Sequence, residues 1–170
     1  MESDADLDDF EAAVNAHDGT VSRSTAAEFD DSLAAVIETP AVGVSLPFSG
    51  ISMADANVDI GPTPSALAAA RTGITPATFG IASLGTVFLE SRPAGDEPVS
   101  LFPERHVAVL AASDIVPDLE AAFERLEGTF AEGILSGVLA SGPSATADMG
   151  ATVQGVHGPS ETHVLVVTDR

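Results

Sequence analysis

Asp148, His157, Glu161 and His163 fall within sixteen residues near the end of the chain. All four can hold or move a proton. They belong to SGPSATADMGATVQGVHGPSETHVLVV, residues 141–167, which has two Gly-Pro turns and ends in an apolar run. Polar side chains on turns beside a buried strand are a common way to present a binding site. His157, between glycines, is expected to be turned toward a cleft, as acid, base or anion ligand near neutral pH. The structural alternative is a ring bonded to carbonyls of its own turn. Asp148 either orients a histidine or accepts a proton, or it is a carboxylate at a helix N-terminus. Glu161 and His163, two apart, share one face if this segment is a strand. With His157 they would make a His-Glu-His metal set, but an ion pair or hydrogen-bond network is the preferred reading, and no metal is expected. Ser144 and Thr146 suit the cap of a short helix whose N–H groups face an anion; a plain strand-to-helix turn is the alternative. The expectation is that these residues face one shared cleft.

Other candidates lie upstream. Gly80, Gly85 and Thr86 allow close backbone approach, by a ligand or at a bulge. His106 heads an apolar run. Arg71 is the only charge between residues 61 and 89. Its fork matches a carboxylate, but a surface arginine ending a helix is the preferred reading. Ser, His and Asp are present without a Gly-x-Ser-x-Gly elbow, which disfavours a hydrolase triad. GITPATFG is not a dinucleotide fingerprint.

The elements that must position these residues lie in an unusual charge field. The chain has 170 residues, six Lys+Arg and 26 Asp+Glu, a net charge of −20; all six cations are arginine. That is one acid per roughly 300 Å² of expected surface. The Debye length falls from about 10 Å at 0.1 M salt to about 3 Å at 1 M. Such a surface repels itself in dilute buffer and is screened in strong salt, which suggests a haloarchaeal-like composition and the cytoplasm of an extreme halophile. Nucleic acid is a poor partner for this charge. No apolar run reaches eighteen residues, so no membrane span is expected, and the acidic start does not read as a secretory signal. Ten of the 26 acids fall in residues 1–31, whereas only Asp148 and Glu161 occur between Gly133 and Thr168. Acid-free stretches are expected to be interior or functional cleft. With no cysteine, the chain cannot itself hold a Cys-ligated cluster or a thiolate nucleophile. No cofactor is expected.

Residues 1–20 read as an acidic helix or flexible segment, and 21–170 as a single domain. A helix from Ser24 or Thr25 to about Glu38 places Phe29, Leu33, Val36 and Ile37 on one face. AVGVSL (41–46) reads as a short buried strand. Thr63-Pro64 starts a helix over 65–71. GTVFLE (85–90) reads as a strand paired with HVAVL (106–110) across a hairpin-like 91–98. Pro117 opens a helix with Leu119, Ala122, Phe123 and Leu126 inward and Gly128 as its stop. GVLAS (137–141) and HVLVV (163–167) read as buried strands. Apolar strands alternating with helices predict a three-layer α/β/α domain around a mostly parallel sheet.

The tail resembles the LUD-domain family, of the lactate-utilisation protein C type. The resemblance rests on GPSATADMG (142–150), GVHGP (155–159) and ETHVLVV (161–167), with GIASLGTVFLE (80–90) and LFPERHV (101–107) upstream, in order over about residues 60–170. Ser83 and Leu84 stand where the family has Glu-Thr, Gly150 where it has Glu, and Ala145 where a basic residue is common. The resemblance implies a fold similar to sugar-phosphate isomerases and CoA transferases. It also implies an accessory role in oxidising L-lactate to pyruvate beside iron–sulfur partner subunits, binding a small carboxylate or other anion or organising those partners. An enzyme acting on an acyl or phosphorylated substrate is the second reading, and a pure scaffold the third.

Overall fold

The computed structural model describes residues 2–133, 136–148, 151–155 and 157–170, without the side chains of 2–4, 147, 148, 151, 152 and 154. Its strands are β1 (Thr20–Ser24), β2 (Ala41–Gly43), β3 (Val58–Ile60), β4 (Thr72–Pro76), β5 (Phe79–Ile81) and β6 (Thr86–Glu90), then β7 (Arg105–Ala111), β8 (Ile115–Val116), β9 (Gly137–Ala140), β10 (Ala145–Asp148), β11 (Ala151–Gln154) and β12 (Glu161–Val167). The helices are α1 (Glu2–Ala16), α2 (Phe29–Val36), α3 (Pro64–Ala69), α4 (Asp96–Leu101) and α5 (Leu119–Ala131).

The apolar runs of β7 and β12 become neighbours at the centre of a six-stranded sheet ordered β1-β12-β7-β4-β2-β3, with every pairing parallel. A strand buried on both faces has no reason to alternate, and from Val107 to Ala111 the side chains of β7 are all buried. Alternation instead decides which layer each contacts. Val107, Val109, Leu165 and Val167 pack with Phe29 and Leu33 of α2. Ala108, Leu110, Val164 and Val166 pack with Leu7, Phe10 and Val14 of α1 and with Val87 and Leu89 of β6. The acidic N-terminal segment is thus a helix that drives three apolar side chains into the core. The architecture is α/β, a parallel sheet flanked by helices.

Four sequence expectations are corrected. β6 does not pair with β7; it pairs antiparallel with β5 and β9 in a second sheet ordered β8-β5-β6-β9, stacked on the α1 side of the parallel one. Segment 91–98 is therefore not a hairpin: it leads into α4, whose Val99 packs on Val42 and Val44 of the strand β2 region. β9 is an edge strand with an alternating, part-exposed pattern, not a buried one. Of the four residues expected inward on α5, only Ala122 and Leu126 enter the core, against Phe79, Ile81 and Phe88. Phe123 is 61% exposed and Leu119 43% exposed. This helix also runs past Gly128, which does not stop it, and Asp118 rather than Pro117 caps it by accepting from Ala121 N at 3.0 Å. α3 follows expectation more closely, with Pro64 at its first position and Thr63 as cap.

Candidate functional site

Most of the sequence candidates gather where β7 and β12 begin, at the N-terminal edge of the parallel sheet. Glu161 pairs in register with Arg105 and Thr162 with His106. Side chains alternate, so Glu161 and His163 face the α2 layer while Thr162 and His106 face the α1 layer. The sheet itself divides the candidates into two groups, and the expected single cleft is two.

The α2-side cleft is about 470 Å³ and is lined by Asp18, Thr20, Arg105, Glu161 and His163. Arg105 Nε donates to Glu161 Oε2 at 2.7 Å, Nη1 donates to the Val36 carbonyl at 2.8 Å, and Nη2 lies 3.1 Å from Glu38 Oε1. His163 Nδ1 is 2.8 Å from Thr20 Oγ1, and Nε2 is 2.8 Å from Ser22 Oγ. Burial, then the Arg105 charge, push its pKa down to about 4. This is a neutral imidazole held at both nitrogens by hydroxyls. Arg71 is paired with Glu38 at 2.9 Å and Glu104 at 3.3 Å on the same edge, as a surface arginine.

The α1-side cleft is about 200 Å³. It brings together His106, Ser144, His157 and Thr162, with Leu89, Leu101, Val138 and Ala140 as apolar walls. His106 is buried and shares a 2.8 Å hydrogen bond with Thr75 Oγ1; burial lowers its pKa to about 4. Thr162 Oγ1 is buried without a hydrogen-bond partner among the described residues. The sequence reading passed over Thr162. Its only signal was its position between Glu161 and His163, which period-two alternation turns to the other face.

Ser144 does not cap a helix. It enters a β-hairpin in which β10 pairs antiparallel with β11. Ser144 N donates to the Pro159 carbonyl at 2.8 Å, and Gly155 N donates to the Ser144 carbonyl at 2.8 Å, which fixes the GVHGP turn against the hairpin. Thr146 Oγ1 reaches the Val153 carbonyl at 3.5 Å within the hairpin and lines neither cleft. The Asp148 backbone pairs with Ala151; its side chain lies outside the described residues. His157 is exposed and, being on the α1 side, cannot join Glu161 and His163 in a His-Glu-His set. Among the described residues no group of three His, Asp or Glu side chains is placed to hold a metal ion.

Gly80 and Gly85 serve packing. Gly85 has φ 58°, and a Cβ there would run into the backbone of Ala13 and Val14 of α1. At Gly80 a Cβ would come within 3.0 Å of the Phe10 ring. The space beside both glycines is filled by α1. Thr86 Oγ1 bonds Ser141 Oγ at 2.6 Å, tying β6 to the end of β9.

The LUD domain family model matches residues 51–167, and the chain belongs to that family. Proteins named "Lactate utilization protein C" match from Geobacillus sp. strain WCH70 (36% identical over 105 residues, 59% of this chain and 44% of that protein) and Bacillus subtilis (34% over 105 residues, 59% and 44%), and one named "Lactate utilization protein C 1" from Bacillus mycoides (37% over 106 residues, 60% and 45%). The chain spans less than half the length of these curated relatives. A crystal structure of a DUF162 family protein from Deinococcus radiodurans superposes with a TM-score of 0.73 over 98% of this chain and 99% of that one. At 22% identity it shares the fold. No helix among the described residues is long and apolar enough to cross a membrane.

Proposed function

We propose that this protein acts in lactate utilisation as a non-redox accessory component, binding a small carboxylate such as L-lactate or pyruvate in the α1-side cleft. The observation that carries the ligand reading is the pairing of an unpartnered, buried Thr162 hydroxyl with His157 and Ser144 at the mouth of an apolar pocket. A short carboxylic acid has a hydrogen-bonding end and an apolar end, and this cleft has both. The relatives named "Lactate utilization protein C" support the pathway. A chain without cysteine leaves cluster-based electron transfer to iron–sulfur partner subunits. Phe123 and Phe130 lie seven residues apart on one side of α5 and are both exposed, an apolar face that favours a role in docking such partners as well.

The test is calorimetric titration of L-lactate and pyruvate in high salt, with His157→Ala as the comparison. Loss of one charge-assisted hydrogen bond, about 1.5–3 kcal/mol, should weaken the dissociation constant roughly 10- to 150-fold. Circular dichroism should be unchanged, since His157 is exposed. Equal affinity in the folded variant would remove His157 from the site. Lactate oxidation by the chain alone would refute the accessory role.

A further inference from the structure

The C-terminal edge of the parallel sheet holds another cleft, away from all the residues placed above. From β2 the chain moves outward to β3; from β4 it moves the opposite way to β7. The strand order therefore reverses between β2 and β4, and open α/β sheets form ligand crevices beyond the carboxyl ends of strands at such a point. Here the crevice is about 390 Å³, with Phe48 after β2 and Pro76 at the end of β4 in its wall. Two guanidiniums and three carboxylates share the lining: Arg92 and Arg125 with Glu90, Asp96 and Asp114.

Both arginines are engaged. Arg92 Nε donates to Asp96 Oδ1 at 3.0 Å, and Arg125 bridges to Asp114. Glu90 Oε1 accepts from Thr78 Oγ1 at 3.0 Å. Asp96 Oδ2 has no such tie. Its side chain is 1% exposed, and this oxygen finds no hydrogen-bond partner among the described residues. A buried carboxylate oxygen without a donor is costly, and native proteins leave few of them. Three carboxylates against two guanidiniums leave the crevice one negative charge in excess, on a chain of net charge −20. An anion is repelled, and a neutral polyol answers the missing donor but not the charge. The acids here are not placed to hold a metal ion.

We infer that this crevice binds a small organic ammonium ion. Its N–H groups donate to Asp96 Oδ2, and its carbon skeleton lies against Phe48 and Pro76. The inference is independent of the lactate reading, which concerns the opposite edge of the sheet. The test is titration of the full ¹⁵N-labelled chain with ethanolammonium chloride at constant high NaCl, followed by amide chemical shifts. Glycerol and MgCl₂ are the neutral and metal comparators. Saturable shifts centred on Thr78, Arg92 and Asp96 are expected with ethanolammonium alone. Asp96→Asn should weaken that binding about tenfold or more. Glu90→Gln, which removes charge from the rim without touching the buried pair, should weaken it several-fold. The inference is overturned if no saturable shift occurs, if glycerol or Mg²⁺ binds as well, or if folded Asp96→Asn binds unchanged. Should Asp96→Asn fail to fold, an unchanged affinity in Glu90→Gln overturns it equally.

Discussion

The two ends of the parallel sheet solve different problems with the same residue types. At the N-terminal edge, Arg71 and Arg105 meet Glu38, Glu104 and Glu161 in a network whose carboxylates are open to water. The Arg71 side chain is 53% exposed, and Glu104 more so. At the C-terminal edge, Arg92 meets an Asp96 that is almost fully enclosed. Exposed pairs are worth little and fade with salt; enclosed ones resist screening and are costly to break. The difference teaches that ion pairing does not by itself mark a site here, since each of the six arginines has a carboxylate partner. What sets a place apart is a polar atom left over: Thr162 Oγ1 at one edge, Asp96 Oδ2 at the other.

Salt should produce the largest effect. Raising KCl from 0.1 M to 3 M screens repulsion among 26 acids, and a scanning calorimeter should record a rise in Tm of about 10 °C or more. A flat response would break the link between composition and salt, and with it the halophile expectation. The comparison sharpens if Arg105→Met loses its effect in 3 M KCl while Asp96→Asn keeps its own.

Acid comes next. The buried neutral His106 has a folded pKa of about 4 against an unfolded value of about 6.5. Between those values the unfolded chain binds more protons. The stabilisation is therefore complete above about pH 6.5 and is lost as pH falls toward 4, by on the order of 3 kcal/mol for this group. His163 is depressed to about 4 as well and acts in the same direction. Denaturant midpoints from pH 7 to pH 4.5 should fall more steeply than in His106→Gln. An equal slope in the variant would mean that His106 is not the group being charged.

Thr162→Val gives a smaller, two-sided result. The hydroxyl has no partner to lose among the described residues, so stability without ligand should stay level or rise by up to about 1 kcal/mol. Pyruvate affinity should fall in the same variant. A clear loss of stability would show the hydroxyl to be satisfied within the protein. Least of all, Arg105→Met should cost no more than about 1 kcal/mol in dilute salt. It should also let the His163 pKa rise, because the Arg105 charge is one cause of its depression. An NMR titration of His163 would read this directly.

The central strands were legible because runs such as HVAVL and HVLVV are long, apolar and β-branched. Thr63-Pro64 was legible because a cap followed by Pro at the first helical position is local chemistry. The second sheet was not, for β5 has three residues and β8 two, too few for any period to register. The inward stripe expected on α5 misled because Phe123 obeys helical spacing yet has no layer beyond it to meet. Among the candidate residues, the Glu161 and His163 pairing follows from spacing alone. Their separation from His157 depends on which layer lies on each side of β12, which no local pattern encodes. The switch-point crevice was hidden by the acid-poor criterion itself, since Glu90, Asp96 and Asp114 lie in stretches that criterion set aside.

β12 stands between β1 and β7 in the sheet, though Thr20 and its partner His163 lie far apart along the chain. During synthesis β1 is made long before β12, its neighbour in the sheet. Until β12 emerges, β7 has an unpaired flank and α1 lacks Val164 and Val166 of its packing surface. Contact order is thus concentrated in one late event, which slows folding and leaves an open, apolar strand edge for other nascent chains to find. The dense negative charge of residues 1–31 is already on the chain at that stage, and repulsion between such chains opposes their association.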